Sequence, residues 1–479
     1  QSTWGEIVQP GQPTWNPIPY CGMEAMQPSE VVTINVGGQI FQTSRLTITQ
    51  SGSEPLISLL QNRDSQFIDR DPETFAILLS LFRTGTLSSK AKSQYLDDLI
   101  TEAKFYGVEH LLVSALSSPD LLDPFTLEKS LILPLSGRDS PSAISTSTLG
   151  TLHVSHGSKI TSYDWSLRRK STILTEFSAI DSIVALSPDS VAAGATDFYG
   201  MQVINLSDGR VRKKLDWESV TMPGSTVQAI GTSPEIVFAS FESGRRNSCC
   251  IIAYDSSTFE PVAEIGHVET YGTDFAGAIP ATKLEWVSSH GLLLAAGSHG
   301  GPSGFTGNIR LWDIRSNRAI WEVKEDSDCF SDVTFSERLS SIFKVGVNSG
   351  DVFFIDARKI CDAAPWVCLN GTDKRGIVSG KKGGLGCKIV GEGSHLFVSR
   401  GGDVELWSEV VMGSVSKQED ALPERVFRKN VMGKMKDMGA KRVTNLKFGG
   451  NKMMVTRSDV NSIELWESSG RFSYGFMPS

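Results

Sequence analysis

One pattern recurs seven times along the C-terminal two-thirds of the chain. It restricts the fold more than any other feature. Each copy is a short alternating strand closed by an aromatic or aliphatic residue and a small polar or acidic one: KITSYD, MQVIN, CIIAYD, NIRLWD, VFFID, VELWS and SIELWE. The closing positions are Tyr163, Ile204, Tyr254, Trp312, Ile355, Trp407 and Trp466, spaced 41 to 59 residues apart. Another apolar strand precedes each one: TLHVSH, SVAAGA, IVFASF, LLLAAGS, FKVGV, HLFVSR and KMMVTR. A four-stranded unit of this length cannot bury both of its faces alone. Stacked radially, neighbouring units bury one another, and closing the ring removes most exposed strand edges. The expectation is an all-β propeller over 127–479 with seven blades. Strand pattern rather than signature residues sets that count, so six and eight are its alternatives. Two segments compete to clasp the last blade to the first, SLILPL at 130–135 and RFSYGF at 471–476.

The units resemble WD repeats, in degenerate form. Only Trp312-Asp313 is a true WD dipeptide. Gly266-His267 lies upstream at a distance that fits the GH element of the same blade.

Residues 29–117 follow a different period. VVTINVGGQIFQT alternates through Val32, Ile34 and Val36, then resumes at Ile40 after Gly37-Gly38, which predicts a hairpin. Pro55 opens a short helix, and QFIDRD is a short strand. Asp71-Pro72 supplies an N-cap and a first-turn proline for a helix whose Phe75, Leu78, Leu79 and Phe82 share a face. Gly85 stops it. A second helix carries Tyr95, Leu99, Ala103 and Tyr106 up to Gly107, and VEHLLVSAL is a third. VTINVGG, FIDRDP, LFRTGTL and AKFYGVEHL together resemble the α/β BTB/POZ domain of the potassium-channel tetramerisation (T1) type, as in the KCTD proteins. The resemblance covers about 85 residues, with the motifs in the family's order. Channel members that bind zinc at the subunit contact do so through a His and Cys cluster. Here 29–117 holds His110 and no cysteine, so no interfacial metal is expected.

Residues 1–28 carry Pro10, Pro13, Pro17, Pro19 and Pro28 with Trp4, Trp15 and Tyr20. Proline fixes φ and removes donors, so an extended segment is expected. It reads equally as a native tail or as a fused peptide. Its aromatics suit docking into a groove of the folded body. The connector 118–126, with Pro119 and Pro124, is expected to be stiff.

The chain's 46 basic and 54 acidic residues give a net charge of −8, which disfavours wholesale binding to nucleic acid or an anionic membrane. An odd count of seven thinly spread cysteines does not form a disulfide framework, and points to reduced thiols in the cytoplasm or nucleus. No apolar run reaches the roughly 20 residues of a membrane span. None of the seven histidines shares metal-ligand spacing with a cysteine. GIVSGKKGG at 376–384 falls one residue short of a phosphate loop before Gly380-Lys381 and has Lys382 where Ser or Thr would hold magnesium. The glycine-rich HGGPSGFTG at 299–307 reads as a long hairpin loop. No catalytic residues, cofactor or metal site are expected.

Propellers bind through the loops of one rim. Those loops here include Arg245, Arg246, His299, Lys374, Arg375, Lys381, Lys382 and Arg400, followed by a basic run from Arg425 through Arg428 and Lys429 to Arg442. A recognition face for an acidic peptide is expected. The family resemblance implies more: self-association through the BTB domain and recruitment of cullin-3. The chain would then be a ubiquitin-ligase adaptor whose propeller holds the target. The alternative is a scaffold or regulatory subunit without ligase coupling. Phe67, Ile68, Asp69 and Asp71, at the short strand and helix start, are the residues expected to face cullin-3.

Overall fold

The computed structural model describes residues 31–61, 67–88, 91, 96–147, 150–218, 224–270, 278–301, 304–326, 328–359, 366–369, 383–410, 425–430, 432 and 441–468. The Pro- and Trp-rich segment and RFSYGF lie outside them. The chain divides into two compact units, Gln1–Leu116 and Ser117–Ser479.

In the first unit β1 (Val31–Val36) and β2 (Gln39–Ser44) form the expected hairpin. Gly37 and Gly38 both take positive φ at its turn. A Cβ on Gly37 would sit 2.5 Å from the Arg70 carbonyl, so glycine is required there by space as well as by conformation. The two-residue strand β3 (Phe67–Ile68) pairs parallel to β1 and is one of the two edges of the sheet. Two short helices follow the hairpin, α1 (Arg45–Ser51) and α2 (Glu54–Gln61). The first had no counterpart in the sequence reading. Its β-branched Thr47, Ile48 and Thr49 look strand-like, but the Ser44 side chain accepts from the Thr47 amide and caps it. The remaining helices are α3 (Pro72–Thr84), α4 (Leu96–Phe105) and α5 (Glu109–Leu116). Phe75, Leu78, Leu79 and Leu81 of α3 are buried with Leu99, Ala103 and Tyr106, and the Phe75 and Tyr106 rings lie 5.3 Å apart.

Asp71 caps α3 as expected, accepting the Thr74 amide at 2.7 Å, and Gly85 ends the helix in the left-handed region. Hydrogen bonds from the Thr74 hydroxyl and amide hold the Asp71 carboxyl below the usual carboxylate range. A lowered folded pKa means that the cap contributes fully above the unfolded carboxyl's pKa and is lost as pH falls through the lowered value. Asp71→Ala should weaken α3 by ~1 kcal/mol, about a fivefold faster amide exchange in that helix at pH 7. The difference between variant and wild type should close in acid. Equal exchange at pH 7 would count against the cap.

The second unit contains seven four-stranded antiparallel sheets among the described residues. Six are consecutive, spanning 141–174, 182–215, 225–269, 283–325, 330–368 and 389–430. The seventh joins three strands of 443–468 to β4 (Leu127–Pro134), with Ser462 opposite Pro134 and Ser468 opposite Leu127. SLILPL therefore lies in the clasp. The first strand of each sheet contacts the first strand of the next, and Val443–Gly449 contacts Pro141–Thr146, so the ring is closed.

Each junction between blades has its own apolar core. Ile160 of the first blade packs with Ile183 and Ile204 of the second, and Met201 of the second packs with Phe241 and Tyr254 of the third. Phe238 then meets Leu293, Leu311 meets Ile342, and Phe343 meets Leu396. Leu406 packs with Met453, and Leu465 with Val154, to complete the circle. Six of the seven closing residues of the repeat are buried in these junctions; Trp312 is half-buried. Among the described residues each of these cores is shared by two blades, which is why the repeat must stack to fold.

Candidate functional site

A recess lies at one rim of the propeller, over the second, third and fourth blades. Its volume is about 740 Å³. Three turns build it. In the third blade the strands Ile236–Ser243 and Ser248–Asp255 are joined by a tight turn in which Arg246 takes φ 57° and its amide donates to the Ser243 carbonyl at 2.8 Å. The Ser243 hydroxyl donates to Asn247 Oδ1 at 2.9 Å and accepts from the Ser248 amide at 3.2 Å. This turn presents Arg245 and Arg246 to the recess. In the fourth blade the strands Leu292–Gly301 and Gly304–Asp313 stay paired up to Gly301 opposite Gly304, and His299 faces Thr306 across them. HGGPSGFTG is therefore mostly strand and not the long loop expected. Gly307 permits close approach: a Cβ there would lie 2.7 Å from the Gly297 carbonyl. In the second blade the segment between Gly194 and Met201 brings Asp197 and the exposed ring of Tyr199 to the same recess.

Arg245, Arg246 and His299 are thus brought together, but the recess is not purely cationic. Asp197 and Glu242 line it as well. Glu242 accepts from Gln228 Nε2 at 3.1 Å. Burial raises its pKa, while the nearby Arg246 and His299 pull it down. The arrangement offers two guanidinium forks, an imidazole, an exposed tyrosine and several hydroxyls in one open groove. That suits an extended peptide carrying acidic groups. Asp197, Tyr199 and Glu242 were missed in the sequence. The one signal was an aromatic beside a glycine, Tyr199-Gly200, in an inter-strand turn.

The other rim residues divide. Lys374, Arg375, Lys381 and Lys382 lie outside the described residues, as do Trp4, Trp15 and Tyr20. Arg400 is committed within the protein: its Nε meets Glu405 Oε1 at 3.0 Å, and its Nη2 donates to the Gly350 carbonyl at 2.7 Å. Lys429 meets the same Glu405 oxygen at 2.6 Å. Arg425 belongs to the opposite rim. It chelates Glu409 at 2.5 and 3.1 Å and reaches Ser341 Oγ at 2.6 Å, all at the far ends of their strands from the 400–403 turn. The expected basic run is corrected at Arg425, which lies at the other rim, while Arg400 and Lys429 share the Glu405 carboxylate rather than standing free.

Gly266-His267 is likewise corrected. The pair lies within Pro261–Glu269, the outer strand of the third blade, where His267 Nδ1 meets Glu264 at 2.9 Å. Gly266 lies under Trp312 of the fourth blade, and a Cβ there would sit 2.7 Å from Trp312 Cζ2.

On the first unit Phe67 is 54% exposed and Asp69 is exposed, whereas Ile68 is buried and Asp71 is engaged in its cap. Ile40 and Leu46 add exposed apolar surface on the same unit.

Cys249, Cys250, Cys329 and Cys387 are buried. Burial pushes the thiols of Cys249 and Cys329 up to about 11 and raises Cys250 and Cys387 as well, so all four stay protonated and unreactive at neutral pH. No cluster of three His, Cys, Asp or Glu with metal-holding geometry occurs among the described residues.

Comparison with known proteins accounts for both units. Residues 32–116 match the BTB/POZ domain family, and residues 136–468 match the family described as At2g24240-like, C-terminal beta propeller. BTB/POZ domain-containing protein At5g41330 of Arabidopsis thaliana is 52% identical over 447 residues, covering 92% of this chain and 97% of that one. BTB/POZ domain-containing protein At2g24240 of the same plant is 25% identical over 471 residues, 91% of this chain and 97% of that one. BTB/POZ domain-containing protein KCTD3 of Homo sapiens is 40% identical over 91 residues, 17% of this chain and 11% of that one. Both matched families are typically non-enzymatic adaptor domains, and BTB domains generally oligomerise and bind partners. The chain belongs to the BTB/POZ domain-containing proteins that carry an At2g24240-like propeller at their C-terminal end.

Proposed function

We propose that this protein is a substrate-recognition adaptor of a cullin-3 ubiquitin ligase, working in the cytoplasm or nucleus. In this reading the BTB unit self-associates and recruits cullin-3, and the propeller holds the target. The observation that carries it is the union in one chain of two binding units with separate equipment. One is a BTB/POZ unit with Phe67 exposed on its edge strand, and the other is a closed propeller whose rim recess gathers Arg245, Arg246 and His299. An exposed apolar residue on an unpaired strand edge is a ready contact for a partner. The chemistry would be proximity: tethering raises the local concentration of a target lysine to about millimolar.

A pull-down of the full chain with the cullin-3 N-terminal region tests the first half. Retention by wild type and at least tenfold weaker retention by Phe67→Ala is expected, as for an interface anchor. No retention of wild type would discard the ligase reading and leave a scaffold. One observation favours that second reading: SH3KBP1-binding protein 1 of Mus musculus, 40% identical over 93 residues, is by its name a binding partner of another protein.

The recess has its own test. Arg245→Glu with Arg246→Glu should weaken binding of an acidic peptide at least tenfold, because each fork loses a charge-assisted contact and gains a repulsion. Affinity within twofold of wild type would remove the recess from target recognition.

A further inference from the structure

A second recess opens on the outer side of the propeller, between the second and third blades, with a volume of about 560 Å³. One wall is the end of the second blade's outer strand, Val211–Leu215, and the three residues after it. The other wall is the third blade: the strand Ser248–Asp255, the turn that follows and the start of the outer strand Pro261–Glu269. The floor is apolar. Leu215, Trp217, Ile252 and Tyr254 are buried in it, and the Tyr254 hydroxyl is engaged by the Asp216 carbonyl at 3.3 Å. Apolar surface is also left uncovered, because Phe259 is half-buried and Val262 is 57% exposed. Phe259 takes φ 58°, a conformation that strains a bulky residue. The matching turn of the second blade, closed by the same amide-to-carbonyl bond, has Gly209 there. The sequence thus keeps an aromatic ring at this edge of the cleft at a conformational cost.

Six charged side chains line the cleft, four carboxylates against two lysines: Asp216, Glu218, Glu260 and Glu264 with Lys213 and Lys214. Both lysines are committed. Lys213 Nζ crosses to Glu260 Oε1 at 2.6 Å and to the Thr258 carbonyl at 3.1 Å, while Lys214 Nζ meets Glu176, which is not part of the lining, at 3.0 Å. Glu264 is met by His267 Nδ1 at 2.9 Å, and that imidazole stands edge-on to Trp217 with 5.5 Å between ring centroids. Asp216 and Glu218 are exposed. Among the described residues neither carboxylate makes an ion pair within 4.0 Å or a hydrogen bond. The cleft therefore joins an apolar floor to an excess of unpaired negative charge at its Trp217 end.

We propose that this cleft docks a partner protein through an extended segment that sets apolar side chains beside lysine or arginine. The apolar side chains cover Val262 and Phe259, and the cations meet Asp216 and Glu218. Charge complementarity selects this occupant, since an acidic segment of the kind proposed for the rim recess meets like charge here. An uncovered apolar residue rimmed by charge is the anatomy of a small interface, and the cleft's volume falls within the about 300–1,000 Å³ of sites that enclose a few side chains. The propeller then has two docking sites of opposite charge preference. This one stands on its own residues and does not depend on the ligase reading.

The test is fluorescence anisotropy of the full chain with a labelled octapeptide carrying two leucines followed by two arginines in a glycine–serine frame. Wild type should bind it, and should bind the counterpart with glutamates in place of the arginines at least tenfold more weakly. Val262→Asp and, separately, Asp216→Lys with Glu218→Lys should each weaken the arginine peptide at least tenfold. All three positions are exposed, so both variants should keep the wild-type unfolding temperature. Should Val262→Asp lower it, the charge variant decides alone. Arg245→Glu with Arg246→Glu should leave this affinity within twofold, which separates the cleft from the rim recess. Sedimentation of the same samples tests a second copy of the chain as the occupant. No binding of the arginine peptide, equal binding of the two peptides, affinity within twofold of wild type in the charge variant, or a smaller self-associated species for Val262→Asp than for wild type would overturn the proposal.

Discussion

Glu325→Ala is expected to lower the stability of the propeller by about 3–5 kcal/mol, a large share of the 5–15 kcal/mol that holds a typical domain together. Glu325 ends the outer strand of the fourth blade and is almost fully buried. Its Oε2 meets Lys344 Nζ, from the second strand of the fifth blade, at 2.6 Å, with side-chain exposures of 7% and 4%. The Trp366 indole N–H donates to its other oxygen, and the Lys344 ammonium lies 4.7 Å from the Trp366 ring and donates to the Asp328 carbonyl at 3.2 Å. Removing the carboxylate strands a buried ammonium and an indole N–H together. The desolvation that the pair once compensated is then unopposed, which makes breaking the pair far worse than never having it. Replacing both partners, Glu325→Leu with Lys344→Met, should recover most of the loss. Denaturant midpoints of the two variants check this. A single variant within 1 kcal/mol of wild type would mean that water hydrates the lysine in its place.

Those groups also mark what a linear reading can reach. Tyr163, Trp407 and Trp466 announced the blade count because the repeat places one bulky residue per blade at each inter-blade core. The cap at Asp71, the glycine turn at Gly37-Gly38 and the stop at Gly85 were equally local, and local chemistry is readable in order along a chain. What failed was pairing made by the fold. Arg400 and Arg425 looked like free rim charges because a hairpin brings Glu405 to Arg400, strand pairing brings Glu409 to Arg425, and the neighbouring blade brings Gly350 and Ser341. Gly266-His267 had a plausible spacing from Trp312, but spacing does not say that the pair ends one blade rather than beginning the next. Gly300, Gly304 and Gly307 suggested a loop by composition, whereas the strands run on through them, Gly304 taking a positive φ where the strand resumes and Gly307 lying against the Gly297 carbonyl.

Ring closure itself carries the last large effect. Leu127→Ala with Leu133→Ala is expected to destabilise the propeller by at least ~4 kcal/mol, since each buried leucine truncated to alanine costs about 2–5 kcal/mol. The two leucines lie on β4, and both are buried, yet they serve different junctions. Leu127 packs with Phe397, Leu406 and Trp466 between the sixth and seventh blades, while Leu133 packs with Ile144, Val154 and Ile463 between the seventh and first. They stand six positions apart on the strand, about 20 Å, so their effects should add. A single strand thus grips both neighbours of the seventh blade, and loosening it opens the ring on both sides at once. The exposed strand edge at Ser462–Ser468 should then become a site of proteolysis and of association between molecules. Urea unfolding of the double variant, with limited proteolysis of the same sample, measures both consequences. A loss below ~2 kcal/mol with no new cleavage would mean that β4 does not hold the circle and that another strand does.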